Sequence, residues 1–322
     1  MRLRLLLFAA VLAAPVSANA AYPERPITLI VPFAAGGPTD VVARIVGENM
    51  SRTLGQQIVV ENVAGAGGTT GTTKAAQAVP DGYTLIMGHM GTHGAAPAVY
   101  PDLKYDPVKS FQPIGMAAGT PIVIVAKKSF PAKDLKEFIA YLKANSAKLN
   151  EAHAGVGSVS FTTCAFLNSL LGATPTRVVY RGTGPALNDL VSGQVDYMCD
   201  QIVNLVPQIQ AGSIKAYGVA LAQRSPALPD VPTTKEGGLP EFQVSAWNAI
   251  FAPKGTPPEV VSKLSAALQK ALADEGTRKR LLDLGADLSD TAAQTPDGLG
   301  KLVEREVARW NKVLKSTGTP PK

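Results

Sequence analysis

The chain has 322 residues, 46% of them apolar and only 6% aromatic, with a formal net charge of +6. Its Lys and Arg are scattered rather than gathered into a basic stripe, which argues against nucleic-acid binding. A single core stops growing at roughly 250–300 residues, so a chain of this length is expected to form two lobes.

The first segment, MRLRLLLFAAVLAAPVSANA, joins Arg2 and Arg4 to an apolar run and ends in Ala18-Asn19-Ala20. That pattern is a signal peptide over residues 1–20. Its apolar run is shorter than the roughly 20 residues that span a bilayer, so the mature chain is expected to be exported and soluble. Residues 27–31 then read as a buried strand, and FAAGGPTD as a tight turn into a helix from about residue 39. A helix start offers N–H groups and partial positive charge to an anion. No Lys follows these glycines, so the turn is not a P-loop. With Gly37 capping and Pro38 in the first helical position, Asp40 falls where it can reach back to the turn; it is read as loop-shaping rather than anion-binding.

The design repeats with a strand over 57–61, the turn GAGGTTG, and a helix ending near residue 79. Gly65 and Gly67 fit a dinucleotide fingerprint, but Thr70 stands where its third glycine belongs, so close helix–sheet packing is the preferred reading. After a strand over 84–87 come His89 and His93, four apart. Gly88, Gly91 and Gly94 interrupt any helix there and no third ligand is apparent, so this segment is expected to be a loop lining a cleft, with no metal. A second unit starts near 121–128 and continues with a helix over 134–144. Strand, glycine loop and helix follow within 150–172, then a strand, the loop RGTGPAL and a helix through residue 190. Strands within 194–200 and within 211–221 lead through a Pro-rich connector to a return crossing near 245–255, and the remainder is helical.

This alternation predicts an α/β fold of parallel-sheet lobes with helices on both faces and a helical C-terminal segment. Two crossings divide it into lobe 1, residues 21–120 plus 243–322, and lobe 2, residues 121–242. The cleft is expected at the C-terminal ends of the strands. Four loops there, 33–40, 90–93, 155–160 and 181–184, are rich in backbone donors and small hydroxyls, the equipment a carboxylate needs. Arg181 is the one cation in them with a fork suited to a carboxylate, the alternative being an ordinary surface Arg. Around Ser158 the nucleophile-elbow pattern fails at both ends.

Cys164 lies early in one helix and Cys199 at the end of a strand, on the side of the sheet that faces the cleft. In an oxidising compartment such a pair is expected to bridge, the alternative being two separately buried thiols.

The blocks YPERPITLIVPFAAGGPTDVVAR, VVENVAGAGGTTG, PDGYTLIMG, YRGTGPALNDLVSGQVDYMCD and IKAYGV resemble the TctC-like receptors of tripartite tricarboxylate transporters, also called Bug proteins. The resemblance spans residues 22 to about 310. It implies a periplasmic, two-lobe, Venus-flytrap binding protein of the type II-like class, without catalytic chemistry, cofactor or metal. Such a protein hands a small organic carboxylate to membrane transporter subunits. Carried over by position, the ligand would sit between Phe33, Ala34, Gly36, Gly37 and Thr39 on one lobe and Gly157, Ser158 and Ser160 on the other. Arg181 and Asp200 would line the far side, and Met90 and Thr92 would come from the second loop. Two departures keep the ligand open: Val156 and Val159 intrude in the third loop, and Cys199 stands where relatives often carry Phe. Phe33, Met90, Val159 and Phe161 could build an apolar wall suited to an aromatic or long aliphatic mono- or dicarboxylate, or could equally be core. A monomer is expected. The alternatives are a ligand-binding accessory of a periplasmic sensor and an exported serine hydrolase using Ser158 or Ser160.

Overall fold

A computed structural model describes residues 22–316, so the signal-peptide reading lies outside the described residues. In chain order the elements are β1 (Ile27–Val31), α1 (Pro38–Leu54), β2 (Ile58–Asn62), α2 (Thr69–Ala76), β3 (Thr84–His89), α3 (Ala96–Val99), β4 (Phe111–Lys127) and α4 (Leu135–Asn145). They continue as β5 (Asn150–His153), α5 (Val159–Leu171), β6 (Thr176–Val179), α6 (Thr183–Ser192), β7 (Tyr197–Gln201), α7 (Ile202–Gln210) and β8 (Ile214–Val219). The chain closes with β9 (Ser245–Pro253), α8 (Pro258–Ala273), α9 (Glu275–Asp283) and α10 (Pro296–Ser316).

Among the described residues the strands run in the order β2-β1-β3-β9-β4-β7-β5-β6, with β8 on β4. β1 is parallel to β2 and β3, and β5 is parallel to β6 and β7. The centre is antiparallel. From Phe111 to Pro121, β4 pairs with β9; from Ile122 on, it pairs with β7 and β8. One strand thus serves both halves of the molecule. The sheets are therefore mixed, not parallel throughout: β4 carries the chain out of the first half, and a returning strand beside it must run the other way. Alternate residues of the outer strands enter two different cores. Ile27, Leu29 and Val31 of β1 pack with α1 and α8 on one face, while Ile30 and Ile86 join the opposite face.

Two segments differ from the sequence expectation. Residues 90–95 form a single π-helical turn that runs into α3 instead of a loop. Glycine does not forbid it, because the side chain of His89 supplies the missing cap: it accepts from the backbone N–H groups of Gly91 and Thr92. Residues 202–210, assigned to no element from the sequence, form α7 with Pro207 inside it. A proline reads as a helix breaker, but this one lies in the last turns of a short helix whose Ile202, Val203, Leu205 and Val206 are buried.

Cys164 of α5 and Cys199 of β7 form a disulfide, their Cα atoms 5.3 Å apart and both side chains fully buried. It clamps the helix after the 155–160 loop to the strand that ends at Asp200. Closing a loop with a sequence separation of 35 stabilises by roughly 4 kcal/mol in the chain-entropy model. Alkylation of unreduced, denatured protein is expected to label neither cysteine. The Cys164→Ala/Cys199→Ala variant is expected to lose about that amount in urea unfolding.

Candidate functional site

The two halves of the molecule meet around one small cavity. From the first half, Phe33, Ala34, Gly37, Pro38, Thr39, Asp40 and His89 line it; from the second, Ala154, Ser158, Val159, Ser160, Thr183, Asp200 and Gln201. Contacts across the gap hold it closed. The Ala34 N–H donates to the Arg181 carbonyl (3.1 Å) and the Tyr100 hydroxyl to the Val156 carbonyl (2.8 Å). A Cβ on Gly184 would lie 2.6 Å from the Ala35 carbonyl, so glycine there lets two backbones touch.

Four helices begin at this cavity: α1, α5, α6 and α7. Ser158 caps α5, accepting from the Phe161 N–H (3.2 Å). The other three start at Gly37, Gly182 and Gln201 with no side-chain cap. Their first-turn N–H groups have no partner within the helix. Aligned peptide dipoles add partial positive charge at each start, so the cavity favours an anion. No Lys or Arg lines it.

Side chains add further donors. His89 stacks on Phe33 with ring centroids 4.9 Å apart. Its Nδ1 accepts from Gly91 (2.9 Å) and Thr92 (3.1 Å), which fixes the proton on Nε2. Burial pulls the imidazole down to about 4, so the ring is a neutral donor. Gln201 Oε1 is saturated by the Thr120 hydroxyl (2.6 Å) and the Asn248 amide (2.8 Å), which leaves its NH₂ to offer. Ser160 Oγ accepts from the Ala154 N–H (3.0 Å) and lies 3.3 Å from Ser158 Oγ. These serine bonds serve the turn geometry and give neither hydroxyl an activating base.

Asp40 and Asp200 are the acidic residues in the lining. Asp40 accepts from Gly36 N–H (3.1 Å), Asn62 Nδ2 (3.0 Å) and Arg44 Nε (3.0 Å), and Arg44 Nη2 lies 2.9 Å from its other oxygen. Burial opposes its charge, but Arg44, Gly36 and Asn62 outweigh burial and hold the carboxyl below its usual range. It ties the 33–37 turn to α1 and β2. Burial pushes Asp200 up to about 6, against the Gln201 backbone, Asn204 and Thr183, which favour its charge.

Of the residues expected from sequence, Phe33, Ala34, Gly37, Thr39, Ser158, Ser160 and Asp200 come together here; Gly36, Met90, Thr92, Gly157 and Arg181 do not. Each has a physical reason. The Gly36 N–H is taken by Asp40. Met90 is fully buried in the core, and Phe161 packs edge-on against His153 away from the wall. The Thr92 hydroxyl caps the π-helical turn. Gly157 turns its carbonyl against Gly91. Arg181 is exposed and lines an outer cleft beside Gly65, Gly67 and Gly155, offering only its carbonyl to Ala34. His89 and Thr183 lie in segments expected to line the cleft but were not named as site residues, and Gln201 was missed, because no helix was expected to start after Asp200.

Residues 42–319 match the tripartite tricarboxylate transporter family receptor, TctC. The chain belongs to the TctC receptor family. Among solved structures it is similar to MatC from Rhodopseudomonas palustris with bound malate, at 52% identity and a TM-score of 0.88 over 91% of this chain and 100% of that one. The periplasmic binding protein BugD is 44% identical, with a TM-score of 0.91 over 94% and 100%. An R. palustris protein with adipate is 32% identical, with a TM-score of 0.89 over 94% and 100%. This TctC receptor is thus a periplasmic solute-binding protein and not an enzyme.

Burial also pulls His93 down, to about 3, with the neighbouring His89 adding to the shift. Both histidines are therefore neutral in the fold but protonated when unfolded below about 6.5. Their contribution to stability is complete above that value and is lost as pH falls towards 4 and 3, respectively. Asp200 runs the other way: its contribution is complete below 3.8 and lost as pH rises through about 6. In NMR titrations the Cε1–H signals of His89 and His93 are expected to stay fixed between about pH 8 and 5, where an exposed histidine moves through its full range.

Proposed function

We propose that this TctC receptor captures a short organic carboxylate and delivers it to the membrane subunits of a tripartite transporter. The observation that carries the reading is the meeting of three uncapped helix starts at one buried cavity without Lys or Arg. Backbone dipoles recognise a carboxylate without a buried cation that would need its own partner. The bound malate and adipate of the similar R. palustris proteins support the ligand class. With Met90 buried in the core and Phe161 packed against His153, the lining favours a short acid over the long or aromatic ligand suggested by the sequence.

Differential scanning fluorimetry and calorimetry against C4–C6 mono- and dicarboxylates test this. Ligand at 100 times its Kd is expected to add about 2.7 kcal/mol of stability, with no effect from sugars or nucleotides. Gly184→Val, which props the halves apart at Ala35, is expected to weaken binding by tenfold or more, roughly 1.4 kcal/mol. Arg181→Ala, at an exposed position outside the cavity, is expected to change stability and binding by less than about 0.5 kcal/mol. A stabilising sugar with no responding carboxylate would overturn the reading.

A further inference from the structure

Gln201 is the last residue of β7, yet its side-chain oxygen is held by the β4–β9 pair. The Thr120 hydroxyl donates to Oε1 at 2.6 Å and Asn248 Nδ2 at 2.8 Å, so both lone pairs of that oxygen are filled. A primary amide has two ends of nearly equal shape and opposite chemistry. The 2.6 Å contact is the length of an O–H···O bond and short for N–H···O, so the oxygen end faces the strands. Asn248 also donates to Thr120 Oγ1 (3.2 Å), which leaves the Thr120 proton directed at Gln201. Among the described residues, these two donations are the only side-chain bonds of Asn248, and its own Oδ1 is buried without a partner. The amide at 248 therefore serves as a donor alone, and what it serves is the direction of Gln201.

Thr120 and Asn248 are fully buried, and neither is in the cavity lining, whereas Gln201 is. Their effect on a ligand must pass through the amide. With the oxygen end tied to the strands, the NH₂ end is the one offered to the cavity. Turned over, Gln201 would present a carbonyl oxygen to a carboxylate, and attraction would become repulsion. An amide free to turn would also have to be ordered each time an anion binds, a cost that fixing it in advance removes. We propose that Thr120 and Asn248 are positioning residues for binding: they fix the Gln201 amide with its donor end toward the cavity. The proposal rests on the cavity being the carboxylate site.

The test is calorimetry of the mature receptor with succinate, glutarate, L-malate and adipate, comparing variants on the acid that the wild type binds most tightly. Thr120→Val removes one hydroxyl at nearly constant volume and is expected to weaken binding by about fivefold or more, as loss of a hydrogen bond does. Thr120→Ser keeps the hydroxyl and is expected to bind within about twofold of the wild type. Asn248→Leu is the second variant, with the same expected loss as Thr120→Val. In a Gln201→Met background, Thr120→Val is expected to change affinity by less than about twofold, since no amide is left to orient. Wild-type affinity in both Thr120→Val and Asn248→Leu would overturn the proposal alone. So would a Thr120→Val loss that Thr120→Ser shares, or one that persists undiminished without the Gln201 amide, because each marks a packing role. No binding of any of these acids by the wild type would overturn this proposal together with the carboxylate reading.

Discussion

The starts of α1, α5, α6 and α7 meet at one buried point, and much of the surrounding structure follows from that. Like partial charges repel, and uncapped N–H groups want acceptors, so the arrangement is unfavourable until an acceptor lies among them. The protein supplies some itself. Ser158 caps α5, and Asp40 brings a carboxylate to the start of α1. Arg44 offsets that charge from the far side, so Asp40 shapes the turn without closing the cavity to anions. The starts of α1, α6 and α7 keep no side-chain cap of their own.

The cavity exists only where the halves touch, and its wall is wired to the strands between them. Gln201 lines the cavity from β7, and its side-chain oxygen accepts from Thr120 of β4 and Asn248 of β9. Those two strands pair with each other at the centre of the sheet, so a group that lines the cavity on one side holds the central strands on the other. The Cys164–Cys199 bridge stiffens the same wall by tying α5 to β7. On the opposite wall His89 does two jobs with one neutral ring: Nδ1 caps the π-helical turn, and Nε2–H remains for the cavity.

Much of the architecture was legible because strand and helix periodicities survive in this chain. The turn FAAGGPTD announces a helix start with Pro38 inside it, and α1 begins there. Where periodicity was interrupted, reading failed. Glycines at 88, 91 and 94 hid a helical turn whose stability comes from the His89 cap, and Pro207 hid α7, whose apolar residues are paired only by tertiary packing. The antiparallel pairing of β4 with β9 spans more than a hundred residues of sequence and leaves no local mark.

By itself, the sequence determined the α/β units, the donor-rich turns and the kind of chemistry they can do, since these depend on residues within a few positions of one another. Which donors face a common space was decided by tertiary structure. Arg181 has the fork that a carboxylate accepts, yet the close approach of Ala34 to its carbonyl leaves the side chain outside. Gly36 has the expected turn conformation, yet Asp40 takes its N–H. Gln201 carries no motif and, with Thr183 of the 181–184 loop, enters the cavity because two halves of the chain close on each other. A side chain's type is local, but its partner is whatever the fold brings within about 3 Å.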